Sequence, residues 1–520
     1  MQALREPAAY PQRADAVEIR QTHISVVFLV GPYVYKIKKP VSLGFLDFST
    51  LERRHHFCQE EVRLNRRLAA DVYLDVVPIV RRGSGVEVEG HGEPIEWAVK
   101  MRRLDDRDTL EHRLARHEVD AEAVEKLARR VAAFHASADR GEHIAQFGRL
   151  EVVERNAREN LEALRTSVGT AVSAEVFARL NTLLESQLAQ LGPLVEDRAQ
   201  RGVPCDTHGD LRLDHVYLLP DRAPPNDVLI IDCIEFNERF RYADPVADMA
   251  FAAMGLKLLG RGDLARVFVD AYFQTSHDVE GRTLVPFYTA YRAAVRGKVE
   301  LIRSQEPEVP EADRAAALEA SRAFWLLALG ELETRGKRPC LVAIGGLSGT
   351  GKSTLAVELA ARAGFTLIRS DVVRKELAGA SGTSMAAEFG QGIYTPEWTE
   401  RTYAECLRRA RQVVFEGGRA MIDASFREDA RRVELVESAT SWGVPVVCVE
   451  CQADPQIVRQ RLAARSGDAS DADWSIYQQA AASWVAPSTA VSPYWHAVDS
   501  GGTREDTVLL ALKVLEEAAV

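Results

Sequence analysis

This chain of 520 residues has no long apolar run, no excess of positive charge and few lysines. No apolar stretch is long enough to cross a bilayer as a helix, so we expect no membrane partner. The net charge of −11 argues against a general nucleic-acid binder, because proteins follow a phosphate backbone with positive charge. The first twenty residues carry no apolar core of the kind found in signal peptides, and we therefore expect a cytoplasmic protein.

Cysteine is also sparse, with seven residues scattered along the chain. The one CxxC pair, Cys448 and Cys451, lies in an apolar segment that is typical of a β-strand. Side chains three apart on a strand point to opposite faces, so this pair does not predict a metal or redox site. Scattered cysteines of this kind favour a reducing compartment, which agrees with a cytoplasmic location.

Only eleven of the 65 basic residues are lysines, yet three of the eleven are Lys36, Lys38 and Lys39. Most basic residues of this chain are arginines, so a cluster of lysines needs a specific explanation. Lysine and arginine are not interchangeable at phosphate sites. The cluster ends a β-rich run that begins at Tyr33 and follows a Gly-Pro turn. Together with the β-rich run 24–30, it predicts a hairpin.

The length exceeds what one hydrophobic core usually serves, so we predict two domains, 1–335 and 336–520. The short, charged and proline-bearing stretch 335–339 is the predicted boundary. After the hairpin, a helical pattern over 49–69 and strand patterns near 76–80 and 96–101 predict a small mixed sheet that carries one helix. Residues 105–335 are mostly helical in pattern, except for a polar cluster at 207–218 and an apolar strand pattern at 228–236.

A complete P-loop lies at the start of the second predicted domain. It follows an apolar strand pattern at 340–344 and precedes a helical pattern at 354–363, which is the context that the motif requires. Its candidate phosphate- and metal-binding residues are Gly346, Leu347, Ser348, Gly349, Thr350, Gly351, Lys352, Ser353 and Thr354. Backbone N–H groups and the helix N-terminus would cradle phosphate oxygens. We expect Lys352 to reach the β- and γ-phosphates of ATP or GTP and the Ser353 hydroxyl to bind Mg²⁺.

Two further strand patterns of this domain end in acids. Asp371 follows the run 365–370, and Asp423 ends the run that begins at Arg419. Because the carboxyl ends of parallel strands meet at one edge of a sheet, we expect both acids to lie beside the P-loop. The alternation of strands and helices predicts an α/β fold with a parallel sheet and helices on both faces.

The P-loop and the Asp371-x-x-Arg374 element resemble the P-loop kinases that include polynucleotide kinases, zeta toxins and gluconate kinases. The resemblance covers residues 338–520. It implies that Asp371 activates an acceptor hydroxyl and that Arg374 holds the acceptor or a phosphate. It also implies that Asp423 is a Walker B acid that holds Mg²⁺ directly or through water.

The helical pattern 457–465 and the polar stretch 466–472 resemble the helix and lid of the same kinases. A lid arginine would neutralise charge on the transferring phosphoryl group. The resemblance implies Arg461 or Arg465 for this role in preference to Arg459.

The amino-terminal domain carries a second set of acids. Asp210 follows a His-Gly pair, and Asp232 ends the apolar run that begins at Val228. An acid after His-Gly, an acid after a strand and a lysine on an early strand are what phosphoryl transfer to a hydroxyl needs. One carboxylate takes the hydroxyl proton, the other holds Mg²⁺, and the lysine pairs with the phosphates.

These motifs resemble the aminoglycoside phosphotransferase family, which has a protein-kinase-like fold, and the resemblance covers roughly residues 20–330. It implies that Asp210 is the catalytic base and Asp232 the Mg²⁺ ligand. It implies that Lys36 pairs with the phosphates, with Lys38 as the alternative because alternate residues share one face of a strand.

Two more positions follow from the same resemblance. The helix partner of the lysine would be Glu61, with Glu60 as the second choice. The family places an asparagine metal ligand five residues after the catalytic aspartate, and this chain has His215 there. We assign His215 to the metal position, and because neutral imidazole is a poor Mg²⁺ ligand, the departure argues against a vigorous two-metal kinase.

The sequence therefore predicts an α+β protein-kinase-like domain, with a sheet lobe at about 20–104 and a helical lobe at about 105–335, followed by an α/β P-loop domain. The predicted function is ATP- and Mg²⁺-dependent transfer of γ-phosphoryl groups to hydroxyls in a bifunctional bacterial protein. The acceptor would be a small molecule or a nucleotide, and nucleic acid would enter only as a 5′-end. The alternative is a nucleotide-dependent regulator or sensor whose N-terminal domain binds but transfers poorly. Antibiotic resistance is a third hypothesis, based on family analogy alone.

Overall fold

The structure, a computed structural model, describes residues 2–44, 46–379, 392–464, 473–518 and 520. The chain divides into two compact units whose segments interleave along the sequence. Unit 1 comprises 1–153, 191–255 and 263–285, and unit 2 comprises 154–190, 256–262 and 286–520. Several helices of the first predicted domain thus belong to the same unit as the P-loop, and the boundary between residues 335 and 336 stays a prediction.

Unit 1 begins with a six-stranded sheet. The first elements are β1 (Glu18–Gln21), β2 (Ser25–Val30), β3 (Tyr33–Lys38), β4 (Ser42–Leu43), β5 (Leu46–Asp47), α1 (Leu51–Ala69), β6 (Tyr73–Arg82), β7 (Gly85–Val88) and β8 (Pro94–Arg102). The sheet order is β1-β2-β3-β8-β6-β7, and every pairing is antiparallel. The predicted hairpin is confirmed. The prediction of a mixed sheet is wrong, because all its strands are antiparallel. Antiparallel neighbours can be joined by tight turns, whereas parallel neighbours need long crossover connections.

The predicted helix at 49–69 is α1, and its ends follow from its sequence. The Thr50 side chain accepts a hydrogen bond from the backbone N–H of Arg53, which caps the first turn. Arg66 and Arg67 lie in the last turn, where positive charge is favourable. The helix packs against β6 and β8 and buries Glu61 completely. A buried acid therefore faces the sheet that carries the lysine cluster.

The middle of the chain is mostly helical, as predicted. Its elements are α2 (Leu110–Ala115), α3 (Ala121–Ser137), α4 (Glu142–Ala145), α5 (Leu150–Leu164), α6 (Ala174–Gln200), β9 (Cys205–Asp206), β10 (Val216–Leu218), β11 (Val228–Ile230), α7 (Glu238–Arg241), β12 (Tyr242–Ala243), α8 (Pro245–Leu258), α9 (Gly262–Ser276), α10 (Val285–Gln305) and α11 (Glu311–Leu332). β10 pairs with β11 and β9 with β12, both antiparallel. The predicted strand at 228–236 ends earlier, at Ile230. Asp232 has φ +63°, a left-handed conformation that a strand cannot continue.

The carboxyl part of unit 2 is built on a parallel sheet. Its elements are β13 (Cys340–Gly345), α12 (Lys352–Ala363), β14 (Thr366–Arg369), α13 (Ser370–Leu377), α14 (Pro396–Phe415), β15 (Arg419–Asp423), α15 (Asp429–Ser441), β16 (Val446–Gln452), α16 (Pro455–Ala463), α17 (Trp474–Ala482), β17 (Trp495–Asp499) and α18 (Arg504–Glu517). The order is β14-β15-β13-β16-β17, and all pairings are parallel, as predicted. The central strand β13 is buried at every residue, which is typical of a strand covered on both faces.

Two groups of helices cover this sheet. α12 and α18 share one apolar core with alternate residues of β13, such as Val342 and Ile344. α14 and α15 pack against each other and against the sheet. Among the described residues, no helix is both long and apolar enough to cross a bilayer.

Within unit 2, the helices that precede the P-loop pack directly against the sheet domain. Gly443 follows α15 with φ +71°, and a Cβ atom there would lie 2.2 Å from the Ala323 carbonyl oxygen of α11. Arg179 of α6 donates a hydrogen bond to the Gly417 carbonyl at 2.6 Å and another to Glu333 at 2.9 Å. Segments that are far apart in sequence therefore form one close-packed body.

Candidate active sites

The segment 207–212 of unit 1 forms a loop whose shape is imposed by hydrogen bonds and by a glycine. The carboxylate of Asp248, on α8, accepts from the backbone N–H groups of His208 at 3.0 Å and Gly209 at 2.8 Å. Gly209 has φ +84°, and a Cβ atom there would lie 2.8 Å from the Phe240 carbonyl oxygen. Only glycine fits this position without strain. The loop presents Asp210, which is partly exposed, as the predicted catalytic base.

His208 connects this loop to the strand that leads to the second acid. Its Nε2–H donates to the Ile231 carbonyl at 3.0 Å, and its Nδ1 accepts from the Asp210 backbone N–H at 3.3 Å. Burial lowers the pKa of His208 to about 4, so the ring is neutral at neutral pH. The imidazole is therefore a structural link between the two acid-bearing segments.

Asp232 lies immediately after β11 and is oriented through its backbone. Its N–H donates to the Tyr73 hydroxyl at 3.1 Å, and the next N–H, of Cys233, donates to the Asn65 side chain at 2.9 Å. Tyr73 and Asn65 are both buried. The strained φ of Asp232 is thus stabilised by β6 and α1, and its side chain stays 43% exposed.

Two lysines on one face of β3 share the carboxylate of Glu61. Lys36 Nζ lies 2.9 Å from Glu61 Oε1 and 2.6 Å from Asp232 Oδ1. Lys38 Nζ lies 2.7 Å from Glu61 Oε2 and also forms an ion pair with Glu235. The structure thus places Lys36 rather than Lys38 beside the predicted metal ligand. The second choice for the helix partner, Glu60, pairs on the surface with Arg63 at 2.7 Å.

These ion pairs determine the charge states of the groups. Burial lowers the pKa of Lys36, but the carboxylates of Asp232 and Glu61 outweigh it, and the pKa is raised well above its usual value. Burial raises the pKa of Asp232, but Lys36 and His215 outweigh it, and the pKa is lowered. Lys36 and Asp232 are therefore both charged at neutral pH.

His215 lies between the two predicted catalytic acids. Its Nδ1 is 3.0 Å from the Asp210 carbonyl oxygen, which requires an N–H at this atom. Its Nε2 is 3.7 Å from Asp232 Oδ2. Nε2 of the ring therefore lies on the side of the carboxylate that is predicted to hold Mg²⁺. Across the described residues, no group of three or more His, Cys, Asp or Glu side chains has a ready metal-binding geometry.

Arg212 also belongs to this cluster, although the sequence analysis did not select it. Its Nη1 lies 4.0 Å from Asp210 Oδ2, and its Nη2 lies 2.5 Å from Asp214 Oδ2. Its spacing of two residues from the predicted base was the only available signal.

In unit 2, the P-loop joins the carboxyl end of β13 to the first turn of α12. Gly346 has φ +127°, and a Cβ atom there would lie 2.7 Å from the Cys451 carbonyl oxygen. Gly349 and Gly351 also have positive φ, and the Thr350 hydroxyl donates to the Leu347 carbonyl at 2.8 Å. The glycines are thus required by the backbone, and the loop fits the predicted phosphate cradle.

A pocket of about 360 Å³ opens over this loop. Its lining combines the P-loop and the start of α12 with parts of α16 and α18, and includes Lys352, Ser353, Thr354, Arg461, Ser500 and Arg504. The pocket is therefore continuous with the residues assigned to phosphate and metal.

The two predicted acids lie at the edge of the sheet where the P-loop begins. Asp423 is paired in register with Ile344 on one side and with Arg369 on the other. Its Oδ2 lies 3.4 Å from Arg369 Nε, and its buried Oδ1 has no hydrogen-bond partner among the described residues. A buried carboxylate oxygen without a partner fits a Mg²⁺ ion or its water. The residues present are therefore compatible with the implied metal.

Asp371 is the second residue of α13 and lies beside these groups, because the strand predicted over 365–370 ends at Arg369 and the helix begins at Ser370. Burial raises its pKa, and Asp423 raises it further, while Lys352 partly offsets the shift. A carboxylate whose proton affinity is raised in this way suits a general base.

Arg374 lies one helical turn after Asp371 and is buried. Its Nη1 donates to the Ile393 carbonyl at 2.7 Å, and its guanidinium lies 5.2 Å from the Tyr394 ring. The structure thus places it against the segment that precedes α14, and its role towards an acceptor stays a prediction.

The predicted lid arginines lie in different surroundings. Arg461 lines the pocket and donates to the carbonyls of Thr350 at 3.3 Å and Ser500 at 2.8 Å. Arg459 is exposed and lies 5.6 Å from the Trp474 ring. Arg465 lies outside the described residues. Arg461 therefore contacts the P-loop backbone itself.

Several residues that shape these sites were missed by the sequence analysis. The sequence analysis did not assign Asp248 to the loop of Asp210, nor Glu235 to Lys38. Asn65 and Tyr73 carried no signal at all, because they act on the backbone of a segment more than 150 residues away.

Comparison with known proteins shows that the chain matches two family models and is similar to a group of mycobacterial proteins. Residues 26–284 match the model described as phosphotransferase enzyme family, and residues 341–487 match the model described as AAA domain. The chain is 33% identical over 503 residues to "Uncharacterized protein Rv2004c" of Mycobacterium tuberculosis and to "Uncharacterized protein Mb2027c" of Mycobacterium bovis, covering 96% of this chain and 96% of each relative.

Solved structures with similarity to parts of the chain include two kinases. A gluconokinase from Sinorhizobium meliloti 1021 is 21% identical, with 35% of this chain and 94% of that chain covered and a TM-score of 0.27. The GDP complex of wild-type aminoglycoside 2'-phosphotransferase-IIIa is 16% identical, with 61% of this chain and 94% of that chain covered and a TM-score of 0.39.

Proposed function

Since the chain belongs to the family of these mycobacterial proteins and carries a phosphotransferase domain ahead of a P-loop kinase domain, we propose that it transfers γ-phosphoryl groups from ATP or GTP to hydroxyl groups at two separate sites. The acceptors are small molecules or nucleotides. The net charge of −11 disfavours a nucleic-acid track, so that nucleic acid would serve only as a 5′-end.

At the N-terminal site, Asp210 and Asp232 have different roles. The Asp210 carboxylate takes the proton of the acceptor hydroxyl as the oxygen forms a bond to the γ-phosphorus. The bond between that phosphorus and the β,γ-bridging oxygen breaks, and its electron pair leaves with the nucleoside diphosphate. Lys36 turns its ammonium group to the phosphates, and Asp232 would hold the metal. When bound, Mg²⁺ would neutralise phosphate charge.

At the C-terminal site, Asp371 is the base and the P-loop holds the nucleotide. Lys352 pairs with the β- and γ-phosphates, while Ser353 and Asp423 would hold Mg²⁺. Arg374 orients the acceptor or a phosphate. Arg461 holds the loop through the Thr350 carbonyl and borders the nucleotide pocket.

The observation that supports transfer most directly is the meeting of Lys36, Asp210 and Asp232 around His215. Lys36 comes from β3, Asp210 from the loop before β10, and Asp232 from the turn after β11. Ion pairs that serve only stability do not require exposed carboxylates. Here the Asp210 and Asp232 side chains are 25% and 43% exposed. The cluster therefore has the accessibility that a reacting site requires.

The test uses the full-length protein, γ-labelled ATP and a fractionated metabolite extract. Asp210→Asn and Lys352→Ala are made separately and together, because each silences one site. We expect the label to appear in two sets of acceptors, one lost in each variant and both lost in the double variant. Glu60→Gln and Lys375→Ala are matched controls that change charges outside the proposed machinery. The proposal fails if the double variant labels as well as the unchanged protein.

The alternative of a nucleotide-dependent regulator is favoured by one residue, His215, at the position of a metal ligand. Under this alternative, the N-terminal site binds Mg·ATP, as measured by calorimetry in the Lys352→Ala protein, yet labels no acceptor. Binding without labelling would therefore replace the proposed transfer at this site by sensing. Unchanged drug susceptibility on overexpression would dispose of the antibiotic-resistance hypothesis.

A further inference from the structure

Arg212 occupies a defined place beside the proposed base. Its guanidinium lies between two carboxylates, with Nη1 4.0 Å from Asp210 Oδ2 and Nη2 2.5 Å from Asp214 Oδ2. Its side chain is 30% exposed, so the group is neither sealed in the core nor free in solvent. One edge of the guanidinium is held, and the other faces the base.

The surroundings keep the Arg212 guanidinium positively charged and leave part of it able to bind another anion. Burial lowers the pKa of Arg212, but the carboxylates of Asp210, Asp214 and Asp232 outweigh it, and the pKa is raised. The closest of these partners is Asp214, whereas Asp210 lies beyond hydrogen-bond distance. The Nη1 edge is therefore available for an additional anion on the side of Asp210.

The position of the reaction follows from the base. A general base must lie about 2.6–3.2 Å from the acceptor oxygen, and that oxygen must lie about 3–3.5 Å from the phosphorus that it attacks. A guanidinium edge 4.0 Å from Asp210 Oδ2 can therefore reach an oxygen of the transferring group. Arginine suits this task because its planar fork binds phosphoryl oxygens and always carries its charge.

The same site lacks the usual second source of positive charge. Phosphoryl transfer spreads negative charge over the equatorial oxygens, and metal ions or an arginine supplied in cis neutralise it. Here the predicted second metal position is held by His215, and neutral imidazole is a poor Mg²⁺ ligand. We propose that Arg212 is a catalytic residue of the N-terminal site, which contacts the transferring phosphoryl group and replaces a second metal ion. Asp214 is its positioning residue.

The inference rests on the proposed function, and it leaves the atoms of the transfer step unchanged. Asp210 takes the hydroxyl proton, the oxygen–phosphorus bond forms, and the β,γ-bridging oxygen leaves with its electron pair on the nucleoside diphosphate. Arg212 exchanges no proton. It stabilises the charge on the equatorial oxygens, and it therefore acts on the transition state more than on the bound nucleotide.

The experiment needs no acceptor, which suits a site whose acceptor is unidentified. Calorimetry of the full-length Lys352→Ala protein measures the affinity for Mg·ADP alone and for Mg·ADP with fluoroaluminate, which imitates the transferring group. Asp232→Asn in the same background identifies the signal of the N-terminal site. We expect fluoroaluminate to tighten Mg·ADP binding, because the mimic recruits the groups that act in transfer.

Arg212→Met tests the inference in that background. We expect it to remove on the order of 100-fold of the tightening by fluoroaluminate, the usual cost of one oxyanion donor, while Mg·ADP affinity stays within about twofold. Arg212→Lys should keep part of the tightening, and Asp214→Asn should lose less than Arg212→Met. The matched control is Arg222→Met, since Arg222 also pairs with a partly exposed acid, Asp71, at 2.8 Å.

The outcomes separate the two hypotheses. If the parent protein tightens and Arg212→Met tightens equally, Arg212 is not catalytic, and the proposed transfer stands. If the parent protein shows no tightening, the proposed transfer fails at this site, and the role of Arg212 fails with it. If Arg212 has a purely structural role, Arg212→Met should lower the melting temperature and the Mg·ADP affinity together. Arg212→Lys keeps the charge and should then behave like the parent protein.

Discussion

Lys36 and Asp232, which are 196 positions apart in the sequence, form an ion pair in which Nζ lies 2.6 Å from Oδ1. The pair joins β3 to the turn after β11, and each member favours the charged form of the other. The cation that is proposed to bind phosphates therefore lies beside the carboxylate that is proposed to bind the metal. Lys38, on the same strand face, is instead enclosed by Glu61 and Glu235.

This difference predicts opposite effects for the two lysines. Lys36→Met should abolish labelling by the N-terminal site, because the phosphates lose their cation. Lys38→Met should instead destabilise unit 1 by about 3–5 kcal/mol, because it leaves buried carboxylate charge without a partner. The measurements are γ-phosphoryl labelling and urea unfolding. A double variant, Lys38→Met with Glu235→Gln, should recover much of the lost stability.

The lysine prediction would be contradicted by Lys38→Met protein that unfolds like the unchanged chain, or by Lys36→Met protein that still labels acceptors. The first result would mean that Lys38 is not needed to balance the buried carboxylates, and the second that Lys36 is not the cation that binds the phosphates. Both variants remove one ammonium group from the same face of β3, so each serves as the control for the other.

Asp371→Asn should abolish C-terminal transfer and at the same time stabilise unit 2 at neutral pH. The fold raises the pKa of Asp371, chiefly through burial, so the folded state binds this proton more tightly than the unfolded state. Stability is therefore lost as pH rises from about 3.9, the unfolded value, through the raised pKa, and the penalty persists above it. A tenfold rise in the proton affinity of this carboxylate corresponds to about 1.4 kcal/mol of lost stability.

Thermal unfolding between pH 4 and pH 8, in chelator and without nucleotide, checks this sign. Asp371→Asn should be more stable than the unchanged protein at pH 8 and should lose that advantage towards pH 4. Asp371→Glu, which keeps a titrating carboxyl, should retain the pH dependence. An asparagine variant that is less stable at pH 8 would show that the carboxylate is stabilised by the fold instead.

Two glycines in the left-handed region make a matched pair. Gly443→Ala places a methyl group 2.2 Å from the Ala323 carbonyl oxygen, whereas Gly364→Ala, at nearly the same φ, meets nothing within 4 Å. Gly364→Ala should cost about 1 kcal/mol through backbone strain alone. Gly443→Ala should cost at least about 3 kcal/mol, because overpacking against a rigid helix backbone adds to that strain.

Urea unfolding of the full chain measures both alanine variants. Equal losses of stability would mean that α11 does not pack against the turn at Gly443. This outcome would also argue that the helices before the P-loop are not part of the same core, and the grouping of unit 2 would be wrong.

Arg432 makes a further stability prediction in unit 2. Its guanidinium is fully buried 4.6 Å from the rings of both Trp484 and Trp495 and donates to the carbonyls of Phe426 and Val485. Arg432→Leu should cost about 3 kcal/mol or more, because two buried carbonyls lose a donor and both rings lose a cation.

Tryptophan fluorescence and thermal unfolding check the Arg432 prediction. We expect a lower melting temperature and a red-shifted emission as the two rings become solvated. Arg459→Leu is the matched control, since Arg459 is exposed beside one ring, and it should change neither quantity appreciably. Unaltered emission in Arg432→Leu protein would show that the rings are held without the arginine.

Local motifs allowed much of the fold and part of both sites to be predicted. The P-loop, the hairpin with its lysines and the strands before Asp371 and Asp423 follow from short patterns, since hydrophobic period and glycine placement act over a few residues. The choice between Lys36 and Lys38 could not be predicted, because both lie on one face of β3 and only the partners differ. Only its spacing of two residues from Asp210 distinguished Arg212 from the other arginines of the chain.

By itself, the sequence determined that a phosphotransferase-like domain and a P-loop domain of different fold follow one another, because each domain is indicated by residues that lie close together in the chain. Tertiary structure alone decided which lysine meets Asp232, that Asp248 shapes the loop of Asp210, and that helices before the P-loop belong to the same compact unit. These relationships join residues that are far apart in sequence. They depend on how surfaces pack and how buried charges find partners, which no local pattern records.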